Sequence, residues 1–136
     1  MKLSFLPLVV WLCVVAPFAG WACSCLPPPP ADQAFTQAAA VFVGTVQQVK
    51  RAEQLNVKFV TLQVEQAWKG AVTKRVTVQT CIDGACCGYG FQEKESYLVY
   101  AHGAGKSLSV SLCSRTRPLA QADDDIAALN KIVAAD

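Results

Sequence analysis

The sequence has almost no histidine: among 136 residues only His102 occurs, beside Gly103 in what reads as a loop. That removes imidazole clusters as metal sites and leaves no sequence-implied partner for acid–base catalysis, so an enzyme is the least favoured class. The sequence also has little net charge, with 12 basic and 10 acidic residues. No basic stripe is present, which argues against a nucleic acid or an anionic membrane surface as partner. There is no internal repeat, and the only proline-rich stretch is short, Pro27–Pro30. No cofactor motif appears.

What is present begins with the leader. Met1-Lys2 precedes an apolar run from Leu3 to Ala16, and small residues Gly20 and Ala22 stand at −3 and −1 of a cut before Cys23. One positive charge, an apolar core and a small-residue exit describe a secretory signal peptide over residues 1–22. An uncleaved anchor is the rival, but Pro7 and Pro17 interrupt it. A lipoprotein signal is a third reading, and Gly20-Trp21-Ala22 fits it poorly. The mature chain expected is 23–136, one domain, and its excess of basic residues drops to one once Lys2 is removed. It would be secreted, or periplasmic in a Gram-negative host, with no membrane association after cleavage.

Six cysteines remain in the mature chain: Cys23, Cys25, Cys81, Cys86, Cys87 and Cys113. An even number in a secreted domain reads as three disulfides, for which fifteen connectivities exist. Lipidating Cys23 would strand one of the other five. A reduced set could hold a soft metal, but an oxidising compartment favours bridges.

The patterning predicts mostly β structure. Asp32 is expected to cap a short helix from Gln33 to about Ala39. "AAVFVGTVQQV" reads as a strand with Gly44 as a bulge or close-approach point. "VKFVTLQVEQAW" alternates, with Val60, Leu62 and Val64 inward. "RVTVQT" (75–80), "SYLVYA" (96–101) and "SLSVSLC" (107–113) add three strands. Pro118 and Asp123-Asp124-Asp125 introduce a last helix with Ile126, Leu129, Ile132 and Val133 on one face. The acids suit its N-terminal dipole and match no calcium loop. Five such strands with two helices predict an OB-like five-stranded barrel, with a small sandwich as the alternative. Trp68, Tyr89, Tyr97 and Tyr100 read as core and rim aromatics. Lys69, Lys74 and Arg75 read as a solvated basic cluster rather than an oligonucleotide face.

In extended backbone, residues i and i+2 share a side, so Cys23 and Cys25 face one way and Ser24 the other. If both cysteines bond into the barrel, the new N-terminus is rigid from its first atom, and Pro27–Pro30 stiffens its exit. The plainer alternative is that these are only staples for a thin core. Yet a free α-amine, with an ordinary pKa of about 7.7–8.0, is partly neutral at pH 7 and can donate to a metal, its own carbonyl completing a five-membered chelate.

"CSCLPPPPADQAF" resembles the start of mature tissue inhibitors of metalloproteinases, and "VFVGTV", "WKG", "CGYGF", "YLVYA" and "CSRTRPL" follow in matching order. The resemblance spans nearly the whole mature chain as a single domain, closest in pattern to single-domain secreted relatives, many of them bacterial. It implies a netrin-like module, itself an OB barrel, and a secreted zinc metalloprotease as partner. It implies that the Cys23 amine and carbonyl chelate the protease zinc, that Ser24 enters the adjoining pocket, and that Cys25, Leu26 and Pro27 lie along the cleft. Ala85 and Cys86 would form a second contact ridge. The implied bridges are Cys23–Cys87 and Cys25–Cys113, leaving Cys81–Cys86 to close a small loop around Asp83-Gly84. The family's third bridge is absent, since Thr36 stands at its first position. The alternative function is a non-inhibitory netrin-like binding module.

Overall fold

The computed structural model describes residues 23–136, and the leader expected over 1–22 lies outside the described residues. Strand β1 (Ala40–Ala52), rich in valine, pairs antiparallel with β2 (Val57–Lys69). β2 pairs antiparallel with β3 (Arg75–Cys81). β4 (Ser96–Ala104) lies antiparallel to β1, with Ala40–Thr45 opposite Ala101–Ser96. β5 (Ser107–Ser109) closes the remaining gap, antiparallel to β4 and parallel to β3 through Val78 and Gln79. The ring β1-β2-β3-β5-β4 is a closed five-stranded barrel, as the alternation predicts. A two-residue strand β6 (Arg117–Pro118) adds to β4 at Tyr97 and Leu98.

The bend that closure requires falls where the sequence places it. The β1–β2 register shifts between Val43 and Gly44, and a Cβ on Gly44 would lie 3.1 Å from both the Gln63 carbonyl oxygen and Leu62 Cβ. Glycine allows that close approach at a bulge.

β1 and β4 are apolar on both faces, and the two faces serve different cores. Phe42 and Val46 of β1 and Tyr97, Val99 and Ala101 of β4 point into the barrel with Val60, Leu62 and Val78. The "CGYGF" stretch supplies Tyr89 and Phe91, whose rings meet Tyr97 at centroid distances of 5.8 and 5.0 Å. Outside the barrel, Val41, Val43, Leu98 and Tyr100 are covered by Ala34 and Ala38 at one helix and by Ala122 and Leu129 at the other. The long all-apolar runs in these two strands thus reflect burial on both sides.

The helices differ in detail from expectation. α1 (Ala31–Gln37) starts two residues early, with Pro30 at the cap and no side-chain cap bond. Asp32 therefore sits inside the first turn, where its charge still favours the dipole. The other end of α1 is capped from a distance: Lys69 Nζ donates to the carbonyls of Phe35 (2.8 Å) and Thr36 (3.0 Å). This breaks up the basic cluster expected at Lys69, Lys74 and Arg75. α2 (Asp123–Ala134) buries Asp125 and Leu129. Ile126, Leu129 and Ile132 of the predicted apolar stripe pack against the outer face of the sheet, and only Val133, 42% exposed, does not.

Two further corrections concern strand ends. The strand expected over 107–113 stops at Ser109. Beyond it Ser111 forms a turn, its hydroxyl accepting the Cys113 N–H at 3.2 Å and its carbonyl the Ser114 N–H at 3.1 Å. Serine turn chemistry there overrides the alternation. His102, expected in a loop, lies exposed on β4, and its imidazole has no hydrogen-bond partner among the described residues.

Candidate functional site

Residues 23–30 carry no helix or strand. Four consecutive prolines cannot donate a backbone hydrogen bond, so the segment must be held by other means. Two disulfides do this: Cys23 is bonded to Cys87 and Cys25 to Cys113, with Cα separations of 5.4 and 5.1 Å. Cys81 is bonded to Cys86. The sulfurs of Cys23, Cys87 and Cys113 lie within 4.8 Å of one another. All three are oxidised, so this cluster is two bridges side by side and offers no thiolate to a metal.

Ser24, Cys25, Leu26 and Pro27 are exposed, Leu26 to 86%, while Cys23 is half-buried. The alternation expected of an extended segment therefore holds at its start: Cys23 turns toward the barrel and Ser24 outward. Cys25 stays exposed even though it is bonded, because its partner Cys113 is itself on the surface.

The small loop beside Cys87 is built by Asp83. Its Oδ1 accepts the N–H groups of Ala85 (2.9 Å) and Cys86 (3.3 Å) and starts a single 3₁₀ turn, Gly84–Cys86. Cys87 then takes a left-handed conformation at φ 61°, and the Gly88 N–H reaches back to the Asp83 carbonyl at 2.9 Å. A Cβ on Gly88 would run into the Cys81 carbonyl oxygen, so only glycine fits. Ala85 and Cys86 are left exposed beside Cys87, the partner of Cys23.

Neighbouring turns complete this end of the molecule. The β1–β2 turn leans on the loop, with the Ile82 N–H bonded to the Asn56 carbonyl at 3.2 Å. The Leu112 N–H is bonded to the Cys87 carbonyl at 2.8 Å. Leu55 (68%) and Leu112 (49%) are thereby presented at the same end as Leu26. Sequence reasoning did not single out either leucine. The available signal for Leu112 was its position beside a bridged cysteine; Leu55 carried none.

A buried ion pair lies behind the proline run. Arg115 Nε and Nη2 donate to the two carboxylate oxygens of Asp125 at 2.7 and 2.8 Å, and Arg115 Nη1 donates to the Pro29 carbonyl at 2.7 Å. Asp125 is 1% exposed and also accepts the Tyr100 hydroxyl at 3.0 Å; Arg117 stands 3.8 Å away. Burial works to raise the Asp125 pKa, but hydrogen bonds from Arg115 and Tyr100 and the charges of both arginines outweigh it. The carboxyl is held below its usual range. The same burial, reinforced by the Asp125 charge, pushes the Tyr100 phenol up. By sequence the acidic triplet reads as dipole compensation alone; its third member is the acceptor at the centre of this network.

Residues 21–125 match the model of the family described as Tissue inhibitor of metalloproteinase, which spans the N-terminal segment, the whole barrel and the first residues of α2. No curated protein matches the chain. The barrel, the bridged cysteines and that match over most of its length lead to one assignment: the chain belongs to the tissue inhibitor of metalloproteinase family and carries a metalloproteinase-inhibitor-like domain.

Proposed function

We propose that the chain is cut after Ala22 and secreted, and that the mature protein inhibits a secreted zinc metalloprotease through Cys23. The observation that carries this reading is the pair of adjacent bridges, which pins the first three mature residues at an exposed edge with Ser24 outward. A catalytic zinc keeps one position open for water. The Cys23 α-amine, neutral in part near pH 7, and the Cys23 carbonyl oxygen would displace that water and close the site. Ser24 would enter the pocket beside the zinc, with Cys25, Leu26 and Pro27 along the cleft and Ala85 and Cys86 as a second ridge. Because the segment is ordered before binding, little conformational entropy is lost on association. Among the described residues no helix is long and apolar enough to cross a membrane.

The test has two parts. Intact mass and N-terminal sequencing of the secreted protein should give a chain starting at an unacylated Cys23 with all six cysteines oxidised. A panel of secreted zinc proteases should be inhibited by that protein and not by one carrying an extra alanine before Cys23, with circular dichroism showing equal folding. Losing the amine–zinc bond and adding a clash should together weaken binding by several kcal/mol, each ~1.4 kcal/mol being tenfold. Equal inhibition by the extended form, or none by the native form, sinks the chelation mechanism and leaves a non-inhibitory binding module.

A further inference from the structure

We propose that Arg115 is a positioning residue for the N-terminal contact segment, holding Leu26 to Pro30 on a fixed line by its bond to the Pro29 carbonyl; this rests on the reading that the segment is a contact edge. The argument begins with what the proline run cannot do. It has no N–H groups, so it can be tethered only through its carbonyl oxygens. Among the described residues two such tethers exist. The Ala34 N–H takes the Pro30 carbonyl at 2.9 Å, which starts α1, and Arg115 Nη1 takes the Pro29 carbonyl at 2.7 Å.

Packing does not replace the second tether. Pro27, Pro28 and Pro30 are exposed and only Pro29 is half-buried. Beside Pro29 lies an open pocket of about 180 Å³, lined also by Ala34, Gln37, His102, Cys113 and Arg115. Without the bond, Pro29 has room to shift into that space.

The guanidinium is itself fixed. Its Nε and Nη2 edge is occupied by both oxygens of Asp125, which leaves the Nη1 edge aimed at Pro29. A planar fork engaged on one side cannot turn the other side away. Arg115 also sits two residues after Cys113, so one short stretch grips the N-terminal segment twice, at Cys25 by a disulfide and at Pro29 by a charge-assisted bond. Polyproline II rises about 3.1 Å per residue, so the two grips are about 12 Å apart and set the direction of everything between them. Through Asp125 the docking of α2 reaches the opposite end of the chain.

Arg115→Lys tests this. Lysine keeps a positive charge for Asp125 but cannot bridge Asp125 and Pro29 together. In the mature protein, ¹⁵N relaxation should show the Leu26 amide leaving the rigid range, with its order parameter falling from about 0.85 to below about 0.6. Ser24, between the two bridges, should stay rigid. For any protease the native protein inhibits, the inhibition constant should rise about tenfold, the scale of one lost charge-assisted bond. An unchanged Leu26 amide overturns the proposal, and so does a mobile Leu26 with unchanged inhibition. If the native protein inhibits nothing, the chelation reading fails, and the Leu26 amide still decides the role of Arg115. Should Arg115→Lys fail to fold, Asp125→Asn, which loosens the fork without removing it, is judged by the same amide, and rigidity there overturns the proposal equally.

Discussion

The sulfurs of Cys23 and Cys113 stand 3.8 Å apart although each is bonded to another partner. Two long-range bridges thus meet at one point and close loops of 64 and 88 residues, whereas Cys81–Cys86 spans 5. Loop-closure entropy ranks them. Replacing Cys25 and Cys113 together by alanine should cost about 4.6 kcal/mol, and replacing Cys81 and Cys86 about 2 kcal/mol. Urea unfolding under non-oxidising, non-reducing conditions measures both; equal losses would refute the ranking.

Lys69 should matter for the fold rather than for a charged surface. Lys69→Met keeps the stem that passes the Phe35 ring, 5.3 Å from the ammonium, and deletes the bonds to the Phe35 and Thr36 carbonyls. A loss of about 1 kcal/mol is expected, since the head group is partly solvated and helix C-terminal carbonyls find water readily. An unchanged denaturation midpoint would show that solvent replaces the cap fully.

Acid should unfold the protein partly through Asp125. Its carboxyl is held below the usual range in the fold, while in the unfolded chain it titrates near about 3.9. The folded state therefore binds the proton less well. The stabilisation is present above the unfolded value and is lost as pH falls through the lower folded value. Asp125→Asn should be less stable than the native protein at pH 7, and the gap should narrow from pH 4 downward. A gap constant with pH would mean that the carboxylate charge contributes nothing.

Gly88→Ala should be severe and Gly90→Ala mild. A Cβ at Gly88 meets the carbonyl oxygens of Cys81 and Asp83, and one at Gly90 meets nothing within 4 Å. The first should cost more than about 3 kcal/mol and leave detectable free thiols at Cys81, Cys86 or Cys87. The second should stay within about 1 kcal/mol. Similar melting temperatures for the pair would contradict the steric account.

Much of the barrel was legible because its strands alternate or run apolar, and because Gly44 marks the bend. The helix start at Ala31 was missed because Pro30, which has no capping side chain, stands where a polar cap was sought. The end of β5 was missed because serine reads equally as strand or turn. Around the N-terminal segment, the bridges of Cys23 and Cys25 followed the family pattern and the outward Ser24 followed the alternation, while the exposure of Cys25 did not. Arg115 and Asp125 were not, since their meaning lies in a contact with Pro29, 86 residues away in the chain. A carboxylate at a helix start has a sufficient local explanation, and nothing local reveals a second one.

β4 is a wall with a dry compartment on each side, the barrel interior at Tyr97 and Val99 and the helix-covered face at Leu98 and Tyr100. Neither compartment can be opened by peeling away one layer without wetting the back of the other. The family match ends at residue 125, yet Leu129, beyond it, is fully buried against that wall, so a chain shortened to the match would lose the part of its outer cover that α2 supplies. Proteases cut chains that open locally, and at a rate set by how often they do. Two cores that share one strand leave few stretches of the barrel that can open by themselves, so cleavage within it should be slow.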